Sequence, residues 1–118
     1  MNYQVHTTEG FQITISDGPE PELFTSQLNN RQLHVLSLAN MVIAKGTFRV
    51  VVGESDGTGE YEVQTMDGGK FLTDIPDYNP SALTDLINDI NNEFIQIGKV
   101  IVQRHNFKMV RAAVVNTN

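Results

Sequence analysis

The stretch Glu93-Phe94-Ile95-Gln96-Ile97-Gly98-Lys99-Val100-Ile101-Val102-Gln103-Arg104-His105-Asn106-Phe107-Lys108-Met109-Val110 decides how this chain reads, because an earlier stretch carries the same pattern. That stretch is His34-Val35-Leu36-Ser37-Leu38-Ala39-Asn40-Met41-Val42-Ile43-Ala44-Lys45-Gly46-Thr47-Phe48-Arg49-Val50-Val51. Setting Phe48 against Phe107 gives a shift of 59 positions. Under it Leu36 meets Ile95, Leu38 meets Ile97, Val42 meets Ile101, Lys45 meets Arg104 and Arg49 meets Lys108. Self-similarity at a fixed period is the signature of a tandem duplication. A chain of 118 residues with a 40% apolar share suits one domain with one core. Half-length units would each be marginal alone, so the copies are expected to share that core.

Each copy of the stretch reads as a strand, a tight turn, a second strand, and a bend into a last extended segment. Gly98 at the first central position of its turn suits a type II′ hairpin. Met41-Val42-Ile43 and Val100-Ile101-Val102 are apolar on both faces, which predicts strands buried on both sides where the copies meet.

Upstream of each stretch lies a short helix. Pro80 fits a first helical turn, Asn79 or Ser81 can cap it, and Leu83, Leu86, Ile87 and Ile90 fall on one face. Asp85, Asn88, Asp89 and Asn92 form the opposite, solvated face. In the first copy, Glu22 to Asn30 is the counterpart, with a weaker stripe at Phe24, Gln27, Leu28 and Arg31. Further upstream, Tyr3-Gln4-Val5-His6-Thr7 and Tyr61-Glu62-Val63-Gln64-Thr65 alternate apolar with polar before an acid-and-glycine turn, and each predicts a β-hairpin. The expected architecture is α+β: two β-β-α-β-β copies with pseudo-twofold symmetry, spanning residues 1–53 and 61–115 of a single domain. Residues 54–60 are a glycine-rich connector.

The chain has no cysteine, which excludes disulfides, thiolate metal sites and thiol nucleophiles. Its amino end lacks the basic and apolar regions of a signal peptide, and no apolar run is long enough to span a membrane. A soluble cytoplasmic protein is expected, and a virion protein would read the same way. The net charge of −6 argues against a non-specific polyanion binder, yet seven of the eight basic residues lie in residues 31–53 and 94–118, which hold no Asp or Glu. Lys45, Arg49, Lys99, Arg104, Lys108 and Arg111 are therefore the candidate surface for an anionic partner. The competing reading is that they protect strand edges against aggregation.

Motifs for chemistry are absent. Glu54, Asp56 and Glu60 in the connector do not follow the order of a calcium loop, and no Gly-Lys-Ser/Thr supports a phosphate cradle. His6, His34 and His105 are isolated, which disfavours metal ligation. No serine sits in a Gly-x-Ser-x-Gly elbow, and Asp85 with Asp89 reads as an exposed acidic helix face. No cofactor or metal is expected.

One family pattern can be set beside these residues. Tyr61 to Gly68, Leu83 to Ile90, Phe94-Ile95-Gln96-Ile97, Ile101-Val102 and Phe107-Lys108-Met109-Val110 together resemble the LytTR-type DNA-binding domain of bacterial response regulators. The resemblance implies a strand-rich module that contacts DNA from its loops. Gly98-Lys99 and Gln103 stand where that family carries His-Arg-Ser and Asn, and Lys99 alone matches a functional basic position.

The functional expectation is a non-enzymatic interaction or structural protein, a bacterial accessory or prophage-encoded adaptor, with a protein partner or a homo-oligomeric one. The alternatives are a nucleic-acid-binding module using the basic hairpins, and a small-ligand binder or enzyme at the seam between the copies.

Overall fold

The computed structural model describes residues 1–54 and 59–113. Most of the connector, including Asp56, and the end of the second expected repeat lie outside the described residues. The first unit holds β1 (Tyr3–Thr7), β2 (Gln12–Ile15), α1 (Pro21–Asn29), β3 (Val35–Leu38), β4 (Met41–Ala44) and β5 (Phe48–Gly53). The second holds β6 (Tyr61–Thr65), β7 (Lys70–Thr73), α2 (Pro80–Asn88), β8 (Phe94–Ile97), β9 (Val100–Gln103) and β10 (Phe107–Ala112). A single 3-10 turn precedes β5 and another precedes β10. The fold is α+β, and the same order of elements runs twice, each unit ending in a strand beyond the expected β-β-α-β-β.

Local chemistry recurs with the order. Thr7 Oγ1 accepts from the Phe11 backbone N–H at 3.2 Å, and Thr65 Oγ1 accepts from that of Gly69 at 2.8 Å. A buried threonine hydroxyl thus closes each first hairpin, where Gly10 and Gly68 take positive φ. Both helices begin with proline, whose missing N–H has no intrahelical partner there. Asn79 caps α2 by accepting from the Ala82 N–H at 3.1 Å, as the sequence predicts, whereas Glu20 gives α1 no side-chain cap. After the helices, Asn30 Oδ1 accepts from the Gln32 N–H and Asp89 Oδ1 from the Asn91 N–H, each at 3.0 Å.

The strands form a five-stranded antiparallel sheet in the order β2-β1-β5-β9-β8, a three-stranded sheet β10-β6-β7, and the separate hairpin β3-β4. The units join where β5 pairs with β9, with Val50 opposite Val102, Val51 opposite Ile101 and Val52 opposite Val100. Two bulges occupy matching places. Arg49 is the extra residue where β5 meets β1, and Lys108 the extra residue where β10 meets β6.

Two cores take the place of the expected single one. Tyr3, Val5, Ile15, Phe24, Leu28, Leu36, Leu38, Ile43, Phe48 and Val51 form the first, joined by Phe94 and Ile101 from the second unit. Val63, Ile95, Ile97, Val100 and Val102 form the second, joined by Val50 from the first unit. The reason is the period of two along a strand: β5 and β9 send alternate side chains to opposite sides of the sheet they share, so each faces both cores.

Two further expectations are corrected. Val100, Ile101 and Val102 are fully buried, but Val42 between Met41 and Ile43 is exposed, because only β9 gains a partner on its outer edge. The weaker stripe makes the better buried helix: Phe24 and Leu28 on α1 are inaccessible, whereas on the α2 stripe Leu83 and Ile87 are half-buried and Leu86 and Ile90 are exposed. Helix α1 packs against β8 of the other unit in addition to its own core.

The hairpin turns respond differently to substitution. Ala39 and Gly98 occupy equivalent positions with φ of 53° and 61°, but a Cβ on Gly98 would lie 2.4 Å from Thr73 Oγ1 and 2.5 Å from the Asp74 carbonyl oxygen. Gly98→Ala is expected to lower stability by about 3 kcal/mol through left-handed strain and overpacking. Ala39→Gly, at an exposed turn, is expected to leave stability unchanged or raise it by up to about 1 kcal/mol, because glycine relieves the left-handed strain. Urea unfolding of the two variants compares them directly.

Candidate functional site

The six candidate cations divide by what they touch. Lys45 lies just after β4, and its Nζ donates to the Asn30 carbonyl at the end of α1 at 2.9 Å. Arg104 holds the equivalent place after β9, and its Nε donates to the Ile87 carbonyl in the last turn of α2 at 2.6 Å. Both side chains therefore satisfy carbonyls that a helix end leaves without intrahelical partners, where positive charge is also favoured. Arg49, on its bulge, forms an ion pair with Asp67 in the β6–β7 turn. Arg111 reaches the mostly buried Glu62 across the β10–β6 pair, Nε to Oε2 at 3.4 Å.

Lys99 and Lys108 complete the set. Lys99 sits at the β8–β9 turn, at the opposite end of β9 from Arg104, a separation of about 16 Å for five residue steps along an extended strand. It borders a cleft of about 770 Å³ whose other polar side chains are Glu20, Glu22, Glu54, Asp74 and Gln96. Lys108 is exposed on the bulge of β10. Four of the six have internal partners and a fifth stands among carboxylates.

The cleft lies between the units, where the sequence predicts a closed core. Its carboxylates already have some structural use, since Asp74 Oδ1 accepts from the Gly59 N–H at 3.0 Å and the Glu60 N–H at 2.9 Å. Among the described residues, no group of three or more His, Asp or Glu side chains is placed to hold a metal ion. His34 and His105 are exposed. His6 packs edge-on against Phe71 with ring centroids 5.0 Å apart, linking β1 to β7. Its pKa is lowered from the ordinary 6.5 by burial and by the nearby Arg49 charge.

A different surface emerges from the strand order. Among the described residues, no strand pairs with the outer edge of β4 or the outer edge of β10. Val42 and Met109 lie exposed on these edge strands, and Val35 lies exposed on β3 alongside β4. Sequence reading assigned Val42 to a buried strand. The run Met41-Val42-Ile43 carries the apolar signal, but its partner is not a local property. No helix of the described residues is long and apolar enough to cross a membrane.

Two expected outcomes separate structural from surface charge. Arg104→Ala should lower stability by about 1–2 kcal/mol in urea unfolding, because it strands the Ile87 carbonyl at a helix end, and Lys45→Ala should cost less, because the Asn30 carbonyl keeps the Leu33 N–H. Lys108→Ala should stay within about 0.5 kcal/mol. His6 gives a pH dependence: with its folded pKa depressed, the unfolded chain binds the proton more readily. Its contribution is complete above the ordinary value of 6.5 and is lost as pH falls through the lower folded value. The difference in unfolding midpoint between wild type and His6→Gln should therefore change between about pH 7.5 and about pH 5, with the wild type losing more.

Compared with models of protein families, with curated proteins and with solved structures, the chain matches none.

Proposed function

We propose that this protein is a non-enzymatic interaction or structural subunit that works by docking protein along its open strand edges. The supporting observation is the contrast between its charges and its apolar surface. Four of the six candidate cations are bonded within the fold, while Val42 and Met109 stand exposed on the edge strands β4 and β10, with Val35 exposed on β3 alongside β4. An unpaired edge offers a row of backbone donors and acceptors to an incoming strand, and apolar side chains beside it add burial to the hydrogen bonding. Scattered single apolar residues carry no such meaning, but residues flanking an open ladder do.

A photo-crosslinking amino acid placed at Val42 or at Met109 tests this reading in the cells that make the protein. Discrete protein adducts from these positions are expected, those from Val42 being lost when Val35→Lys is added, with none from Asp85 on the solvated face of α2. Absence of any protein adduct from both edges overturns the reading. Fluorescence anisotropy with labelled duplex and single-stranded DNA at low and high salt addresses the nucleic-acid alternative. No salt-sensitive binding is expected, whereas binding lost on Lys108→Ala/Arg111→Ala substitution would replace the protein reading.

A further inference from the structure

We infer that the occupant of the open edges is a second copy of this chain, joined head to tail, with β10 of one molecule taking β4 of the next as β5 takes β9 within the molecule. The inference rests on the protein-docking reading and names its partner. Its basis is that the chain already contains one such junction, and the residues that form it have equivalents on the two open edges.

The internal junction has three parts. In the ladder, Val50, Val51 and Val52 of β5 face Val102, Ile101 and Val100 of β9. The equivalent ladder would set Met109, Val110 and Arg111 of β10 opposite Ile43, Val42 and Met41 of β4 on the next copy. In the apolar contact, Phe94 and Ile101 of the second unit enter the core of the first, and Val50 of the first enters the core of the second. Their relative exposures are 4%, 0% and 0%. The equivalents Val35, Val42 and Met109 are exposed by 43%, 71% and 37%. The side chains buried at the internal junction are thus those left bare at the ends of the chain. In the polar contact, the Asn29 side chain at the end of α1 bonds the backbone of Phe94 twice, donating to its carbonyl at 2.9 Å and accepting from its N–H at 2.8 Å. The equivalent of Asn29 on α2 is Asn88, which is exposed, and the equivalent of Phe94 is Val35.

Helix burial agrees with this arrangement. α1 is covered by β8 and has inaccessible Phe24 and Leu28, whereas α2 buries no residue fully, and among the described residues no strand equivalent to β8 lies over it. β3 of a second copy would supply that cover. One position departs from the pattern: Arg111 stands for Val52. Val52 is only half-buried at the rim, and the guanidinium of Arg111 is already turned to Glu62, leaving its stem to lie along the junction. Such a contact uses two different surfaces and is heterologous, so it builds a closed ring or an open chain rather than a twofold dimer.

The absence of cysteine makes the register testable. Val42→Cys and Val110→Cys each give a chain with one thiol, and directly opposed residues of an antiparallel pair lie at a separation that a disulfide spans. An added thiol oxidant, diamide, accepts the two electrons and two protons released as the S–S bond forms. An equimolar mixture of the variants should yield a disulfide-linked pair of chains in which each partner contributes a different thiol, and neither variant alone should do so efficiently. Sedimentation velocity of the wild type should show mass rising with concentration. Val42→Lys should abolish that rise, Asn88→Ala should weaken association about tenfold, and Val42→Ile, which copies the side chain of Ile101, should retain it. Val42 and Asn88 are exposed, and circular dichroism of each variant confirms that the single chain still folds. Efficient self-linking of Val42→Cys alone would overturn the head-to-tail geometry in favour of a twofold contact. A wild type that stays monomeric at every concentration, with no cross-link in the mixture, would overturn the second copy as occupant. The photo-adducts of the preceding experiment would then still identify a different protein partner or, by their absence, remove the docking reading itself.

Discussion

The pairing of β5 with β9 is the contact on which the rest of the molecule depends, because it is the ladder that joins the two units and the wall that divides their cores. Its opposed pairs, Val50 with Val102, Val51 with Ile101 and Val52 with Val100, are β-branched residues suited to a sheet covered on both sides. Val50, Val51, Val100, Ile101 and Val102 are fully inaccessible, and each such burial is worth roughly 1.5–3 kcal/mol relative to exposure. Without the ladder, β8 and β9 would have no sheet to extend, Phe94 and Ile101 would leave the first core, and α1 would lose the strand that covers it. The pair of bonds between Asn29 and the Phe94 backbone ties the same junction from its helical side.

The distribution of charge follows from this packing. A helix of nine residues ends with carbonyls that have no partner in the helix, and here a cation from the strand hairpin that follows supplies one. Lys45 does so for α1 and Arg104 for α2, at equivalent positions and with different side chains. Two of the basic residues in the strand-rich halves of the sequence, Lys45 and Arg104, are therefore placed by where the helices end. Asp67 and Glu62, the acids that Arg49 and Arg111 meet, come from the β6–β7 hairpin, which the sequence alone does not bring near them, and Lys45 also lies 4.0 Å from Glu93 of the other unit.

The elements of this fold were legible in the sequence and their partners were not. The helix start at Pro80 with its Asn79 cap, the turn at Gly98, and the threonine-closed first hairpins are settled by residues within a few positions of one another. Val42 and Ile101 carry the same local signal, yet one is bare and the other is buried, because burial depends on which strand comes to lie alongside. The same holds for the helices. Leu83, Leu86, Ile87 and Ile90 form the longer apolar stripe, but α1 lies under β8 and is the one that is sealed. The placement of the basic candidates is likewise not a local property: equivalent positions in two units coincide in space only if the units are brought together there, and β9 holds Lys99 and Arg104 at its opposite ends.

The bulges at Arg49 and Lys108 have a consequence for how the chain reaches this arrangement. In a regular strand Phe48 and Val51, three residues apart, would point to opposite faces, but the extra residue Arg49 turns both toward the first core. A β1–β5 ladder displaced by two residues would keep most side chains on their proper faces, and in a plain strand that displacement would go nearly unopposed. Here it would carry the bulge past the Thr7 turn and leave Phe48 without its place in the core. The bulge therefore works as a detent. It gives an otherwise repetitive valine strand a single position at rest, and Lys108 gives the same to β10 against β6.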